Sequence, residues 1–120
     1  MGGLAIRAWL AGCDARQDKA VRRVITLGTP HHGTWLGQFS YTVNGAQMNL
    51  QSVWLNDLAA LEKPHISAQF VCFYSNCDNI AFPVSTARLD GADNHFVEAL
   101  GHVALAHDAN VIKACWALMR

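Results

Sequence analysis

The sequence predicts an α/β fold in which a mostly parallel sheet carries helices on both faces. Two observations favour this class. Apolar segments of strand length alternate along the chain with segments of helical length, and one predicted strand carries large apolar side chains on both of its sides. Strands that alternate with helices favour parallel pairing and a layered arrangement. Because no linker, repeat or low-complexity tract divides residues 1–120, we expect them to belong to one domain.

The first half of the chain is predicted to contain a helix followed by a strand. Residues 2–11 are rich in Leu, Ala, Ile and Trp and precede Gly12, which is typical of a helix that ends at glycine. After the polar stretch 14–19, residues 21–27 are rich in β-branched side chains and run into a Gly-Thr-Pro turn. We therefore expect residues 21–27 to form a buried parallel strand.

The remaining elements are predicted from periodicity. The glycine-containing segment 31–49 is predicted to be a loop, and leucines and a tryptophan at helical spacing predict a helix over 50–61. Residues 66–74 are predicted to be a strand covered on both faces. A third short strand over 94–99 and a closing helix over 103–118 complete the order.

The composition is unusually apolar for a domain of this length. Hydrophobic residues make up 52% and charged residues 15% of the chain, whereas about 25% charged residues is typical of soluble domains. This deficit of charge indicates apolar surface that the chain does not cover alone. The formal net charge is zero and no basic stripe is interleaved with aromatic residues, so nucleic acid is not an expected partner.

The chain gives little indication of its compartment or of its redox state. Its first residues lack the basic region and the cleavage site of a signal peptide, so the choice between cytoplasm and export stays open. The four cysteines form no C-x-x-C pair and are expected to be buried free thiols. In an exported protein, a disulfide that involves Cys72 or Cys77 remains an alternative.

Two polar residues follow predicted strands at the point where ligand sites usually form. Asp78 comes directly after the strand over 66–74, and His102 follows a glycine after the third predicted strand. Because the carboxyl ends of parallel strands open onto the same crevice, the two side chains are expected to meet there. A carboxylate that binds histidine Nδ1 orients the ring as a general base. Asp90 and Asp93 are alternative candidates for the acid.

Three segments resemble those of small bacterial lipases with the α/β-hydrolase fold. They are Tyr-Ser-x-x-Asp at 74–78, Gly-His-x-x-Leu at 101–105 and Ile-Thr-Leu-Gly-Thr-Pro-His-His-Gly-Thr at 25–34. The resemblance implies a partial α/β-hydrolase fold and a carboxylic ester hydrolase in which Asp78 orients His102. It implies no cofactor, and it implies an ester or lipid substrate with interfacial contact to lipid.

The resemblance also implies where the nucleophile lies. In these lipases the serine commonly stands in a Gly-His-Ser-Met-Gly-Gly segment, and this chain opens with Met-Gly-Gly. Met1 then corresponds to the residue after the serine, whose backbone N–H is one donor of the oxyanion hole. No serine of the chain has glycine two residues away on both sides. We therefore expect residues 1–120 to be the C-terminal part of the domain, inactive without an N-terminal half. A non-catalytic fragment, or another reaction of this fold such as acyl transfer, is the alternative.

The resemblance to lipases is weakest between residues 35 and 63. Residues 35–63 correspond to the position of a lid or cap, and Trp35, Phe39 and Trp54 are candidates either for an acyl pocket or lid or for core packing. No metal is expected, because no pair of histidines has the H-E-x-x-H spacing. The weaker metal hypothesis and a structural calcium involve the residues His31, His32, His65, His95, His107 and, for calcium, Asp108.

Overall fold

Three parallel strands form the sheet in the described part of the chain. The computed structural model describes residues 1–120, apart from the side chains of residues 15 and 18. The strands are β1 (Val24–Leu27), β2 (Phe70–Ser75) and β3 (Asp93–Val97), and β2 lies at the centre of the order β1-β2-β3. Val24 lies opposite Phe70, and Val71 lies opposite Asp93. The predicted α/β class with a parallel sheet is confirmed.

The helices connect the strands and are mostly short. None of those in the described residues has the length and apolar character needed to cross a bilayer. Two single-turn 3-10 helices lie at Trp35–Phe39 and Val84–Ala87. The α-helices are α1 (Gly2–Gly12), α2 (Ala15–Ala20), α3 (Val43–Gln47), α4 (Val53–Leu61), α5 (Pro64–Ser67), α6 (His102–Leu105) and α7 (Ala109–Met119).

Strand β2 is buried on both faces, as predicted from its apolar residues. Phe70 and Cys72 point to one face, where Leu10 of α1 packs against them. Val71 and Phe73 point to the other face and pack against Leu105 and Val111, which belong to α6 and α7. Strand β2 thus contributes to both cores, and its carboxyl end leads into the segment that carries Asp78.

Several predicted boundaries are wrong. Residues 21–23 lie before β1, and residues 66–67 end helix α5, which Pro64 opens, instead of starting β2. A proline has no N–H to donate and is preorganised for the first turn of a helix, so this short helix displaces the start of the strand. The polar stretch 14–19 contains helix α2, and the predicted loop over 31–49 contains a 3-10 helix and α3.

The closing helix is interrupted, which the apolar periodicity did not indicate. Helix α6 ends at Leu105 and α7 begins at Ala109. Asp108 lies between them, and its carboxylate accepts the backbone N–H groups of Asn110 and Val111 at 2.9 and 3.0 Å. Aspartate at this position caps a new helix start. The cap accounts for Asp108 without a calcium ion.

One edge of the sheet is open. Val24 and Gly28 donate their N–H groups to Gln69 and Phe73 on the β2 side, both at 2.8 Å. Because successive residues of a strand face opposite sides, the backbone groups of Ile25 and Leu27 face away from β2. No strand of the described chain lies on that side. The outer edge of β1 is therefore free to pair with another strand.

Candidate active site

The site is built around a contact between Asp78 and His102, which are 24 residues apart in sequence. Nδ1 of His102 lies 3.0 Å from Oδ1 and 2.9 Å from Oδ2 of Asp78. The Asp78 side chain is 1% exposed and that of His102 is 28% exposed. The predicted pair is thus brought together, with the carboxylate buried and the imidazole partly open to solvent.

Backbone hydrogen bonds fix the Asp78 carboxylate. Asp78 follows the end of β2, and its Oδ1 accepts the N–H groups of Ile80 and Ala81 at 2.8 and 2.9 Å. An aspartate that binds the backbone two residues ahead forms a tight local turn, which limits its side-chain rotamers. Since His102 supplies a further donor, the buried carboxylate has partners on both oxygen atoms.

Helix α6 presents His102 to a cleft. His102 is its first residue, and Leu105 of the same turn is buried in the core beside β2. His102 lines a cleft of about 560 Å³ together with residues of α1, β1 and the loop that follows β1. Among the described residues, no serine, threonine or cysteine side chain is hydrogen bonded to Nε2 of His102. Nε2 of His102 therefore has no hydrogen-bond partner in the part of the chain that the structure describes.

Gly28 allows the end of β1 to approach this pair. A Cβ atom at Gly28 would lie 2.5 Å from Oδ2 of Asp78 and 2.9 Å from Nδ1 of His102, distances that no side chain tolerates. Its φ of +60° also favours glycine. Gly28 is thus required at this position for both conformational and steric reasons.

Met1 lies in the same cleft as His102. Its carbonyl accepts the N–H groups of Leu4 and Ala5 at 2.9 and 3.0 Å, which begins helix α1 at this point. Gly3 packs so tightly against the side chain of Thr29 that it has no room for a Cβ. The start of α1 is thereby held against the loop that follows β1, beside the cleft.

The aromatic candidates lie in two different places. Trp35 and Phe39 are 47% and 61% exposed, and their rings contact edge to face with centroids 5.0 Å apart. The backbone N–H of Trp35 donates to the carbonyl of Phe82 at 2.8 Å, so the start of this 3-10 helix lies beside the acid loop, residues 78–82. Trp54 instead lines a groove of about 350 Å³ between α1 and α4. The structure does not bring Trp54 to His102.

Thr34 joins the loop after β1 to the acid loop, a role that the sequence did not indicate. Its Oγ1 donates to the carbonyl of Ile80 and accepts the N–H of Phe82 at 3.4 Å. Ile80 and Phe82 both lie within four residues of Asp78. The Gly-Thr sequence does not predict this contact, because Ile80 lies 46 residues further along the chain.

His31 is buried beneath the site. Its Nε2 lies 3.2 Å from Oγ1 of Thr26 and 3.4 Å from Sγ of Cys72. Burial, and then the positive charge of Arg7, lower the pKa of His31 to about 3, so the ring is neutral at physiological pH. Arg7 donates to the His31 carbonyl at 2.6 Å and forms a two-pronged ion pair with Glu62. Within the Pro-His-His-Gly loop, His31 thus forms a buried support, whereas His32 is exposed.

The other candidates are placed away from Asp78 and His102. Asp90 is exposed, and Asp93 lies 2.9 Å from His95 within β3. The metal hypothesis receives no support, since the described residues contain no group of three or more His, Cys, Asp or Glu able to hold an ion. The four cysteines are free thiols, so the alternative of a disulfide is not seen. Cys13 and Cys72 are buried as expected, but the expectation of burial is wrong for Cys77, which is exposed, and for Cys115, which is partly exposed.

No protein-family model matches the chain, and no curated protein matches it.

Proposed function

We propose that residues 1–120 supply the acid and the general base of a serine hydrolase that cleaves carboxylic esters, as the lipase-like segments imply. The observation that carries the proposal is the asymmetry of His102. Its Nδ1 is bound to the buried carboxylate of Asp78, whereas Nε2 has no partner and the residue lines a cleft. This is the arrangement that general-base activation of a hydroxyl nucleophile requires.

The proposed reaction uses His102 first as a base and then as an acid in each of its two stages, acylation and deacylation. Nε2 of His102 takes the proton of the serine hydroxyl while the serine oxygen attacks the ester carbonyl, and Asp78 stabilises the imidazolium. His102 then gives the proton to the leaving alcohol. Water, activated by the same nitrogen, releases the acid from the acyl-enzyme and restores the serine.

The serine in this proposal comes from polypeptide outside residues 1–120. The open edge of β1 offers the backbone groups of Ile25 and Leu27 to one more parallel strand, and the cleft runs along that edge to His102. A strand that fills this edge and leads into α1 would end beside Met1. Its last residue would then lie in the cleft that His102 faces.

The surface beside the acid loop favours an apolar ester as substrate. Trp35, Phe39 and Phe82 are exposed there, and the chain has no Asp, Glu, Lys or Arg from Val24 to Asn56. An uncharged surface with exposed aromatic side chains is suited to contact with a lipid interface. We include such contact, and a lipid or other apolar ester substrate, in the proposal.

Covalent labelling with a fluorophosphonate tests the proposal, because this reagent reacts with a serine only when a general base activates it. The protein is the chain extended by the residues encoded directly upstream of the Met1 codon. We expect one adduct, located by mass spectrometry on a Gly-x-Ser serine next to Met1, and we expect His102→Ala to abolish it. His107→Ala is the matched control, since His107 is exposed and lies outside the cleft. An adduct that survives His102→Ala, or upstream codons that contain no such serine, would contradict the proposal.

A further inference from the structure

Side-chain hydrogen bonds connect the end of β2 to the loop that carries His102. Oγ of Ser75, the last residue of β2, accepts the N–H of Leu100 at 3.0 Å and the N–H of Cys77 at 3.3 Å. Ser75 is fully buried, with 0% of its surface exposed. The Ser75 hydroxyl therefore holds two backbone N–H groups, that of Cys77 one residue before Asp78 and that of Leu100 two residues before His102.

Asn76 makes a second connection next to the first. Its Oδ1 accepts the N–H of Ala99 at 2.8 Å. Ala99 has a φ of +58°, in the left-handed region that residues with a Cβ rarely occupy. Such a conformation persists only when the surrounding contacts impose it. The bond from Asn76 is the contact that holds the turn at Ala99.

The sheet itself does not reach His102. The β2–β3 ladder ends where Ser75 pairs with Val97, so residues 98–101 extend beyond the last strand pair. Gly101, at the N-cap of α6, has no side chain with which to cap the helix. The bonds from Ser75 and Asn76 thus continue the connection between the two strands after the ladder has ended.

We propose that Ser75, together with Asn76, is a positioning residue that sets the distance between His102 and Asp78. The end of β2, which leads to Asp78, also anchors the loop that leads to His102. The two side chains therefore keep a fixed distance from each other. The consequence for catalysis rests on the proposed hydrolase function. The geometric effect does not, and it is measurable in the absence of any substrate.

Proton exchange at Nδ1 of His102 reports this distance, because the hydrogen bond to Asp78 protects that proton. In the full 120-residue chain labelled with ¹⁵N-histidine, we expect Ser75→Ala to raise the Nδ1–H exchange rate roughly tenfold or more, as expected for a weakened buried hydrogen bond. Ser75→Thr keeps the hydroxyl and is expected to restore slow exchange. Ser85→Ala removes an exposed serine hydroxyl and is the matched control, with unchanged exchange.

Asn76→Ala keeps the proposal testable if Ser75→Ala fails to fold. It removes the acceptor of the Ala99 N–H and of the long bond from the Ser75 hydroxyl, at 2.8 and 3.5 Å, and is expected to raise the exchange rate in the same direction by a smaller factor. Exchange at the Ser85→Ala level in every folded Ser75 or Asn76 variant would overturn the proposal, even if those variants were less stable. Raised exchange in these variants, together with no ester hydrolysis by the folded protein that includes the upstream residues, would retain the positioning role and reject the hydrolase function.

Discussion

The carboxyl end of β2 and the outer edge of β1 differ in how completely their polar groups are satisfied. At the end of β2, Asp78 has partners on both oxygens and Ser75 holds the loop of His102. Along the outer edge of β1, the backbone groups of Ile25 and Leu27 face a cleft. Buried polar groups are nearly always paired in stable proteins. The comparison indicates that the Asp78 carboxylate and the loop of His102 are held by contacts within this chain, whereas the backbone groups along the outer edge of β1 have no strand to pair with among the described residues.

The largest expected effect comes from substituting His102 or Asp78 at the carboxyl end of β2. In the extended protein, we expect His102→Ala to lower kcat for a p-nitrophenyl ester by roughly 10⁴-fold or more, because the serine loses its base. Asp78→Asn is expected to lower kcat by roughly 10⁴-fold, since an amide favours the wrong imidazole tautomer. Steady-state kinetics measure both variants. Retention of more than about a tenth of the rate in either one would contradict the assigned roles.

The pH dependence of stability tests the buried support beneath the site. The pKa of His31 is lowered in the folded chain to about 3, from an ordinary value of 6.5, so the unfolded chain binds a proton first as the pH falls. Stability is therefore retained above pH 6.5 and decreases below it, by at most about 1.4 kcal/mol for each pH unit. Urea unfolding between pH 7 and pH 4 measures this slope.

A matched pair of histidine variants isolates the contribution of His31. His31→Gln is expected to flatten the slope, because glutamine does not titrate, although burial of its amide lowers the overall stability. His107→Gln changes an exposed residue and is expected to leave the slope intact. Equal slopes in these two variants would show that His31 is not the group responsible.

A substitution at Gly28 tests how closely the end of β1 approaches the Asp78–His102 pair. We expect Gly28→Ala to reduce the free energy of unfolding by about 1 to 3 kcal/mol, because its Cβ would overlap the Asp78–His102 pair and its φ is positive. Gly12→Ala is the control, since a Cβ there meets no atom within 4 Å. Chemical denaturation compares the two, and an equal stability for both variants would be incompatible with the close packing at Gly28.

The smallest expected free-energy difference is between the backbone amides of β1, and hydrogen exchange measures it. The Thr26 N–H faces β2 by the alternation along the strand, whereas the N–H groups of Ile25 and Leu27 face the open edge. In the 120-residue chain, hydrogen exchange should be slow at Thr26 and faster at its two neighbours. Addition of the preceding segment should slow exchange at Ile25 and Leu27. Uniform protection of all three amides in the monomeric chain would remove the evidence for an open edge.

Sequence patterns indicated the sheet and the acid–base pair because both depend on local signals. The alternation of apolar segments predicted the parallel strands, and the position of Asp78 and His102 after strands predicted their meeting. The break before α7 depends on the Asp108 cap, and the start of β2 depends on helix α5. Each of these features spans about one turn of helix. Over so few residues, the apolar pattern does not distinguish a continuous element from an interrupted one.

The contacts that connect the loops were not predictable in the same way. Three of these contacts join a side chain to a backbone group that is distant in sequence. They are Thr34 with Ile80, Ser75 with Leu100 and Asn76 with Ala99. A polar residue in a loop has the same appearance in sequence whether it faces solvent or holds a loop. Only the three-dimensional arrangement distinguishes the two.

Ester hydrolysis with and without the preceding segment tests the central claim most directly. The purified 120-residue chain is predicted to leave a p-nitrophenyl ester at its uncatalysed rate, because Nε2 of His102 has no nucleophile to activate. The same chain joined to its upstream residues is predicted to hydrolyse the ester through a serine next to Met1. Hydrolysis by the 120-residue chain alone, or no hydrolysis by a folded extended protein, would contradict the claim.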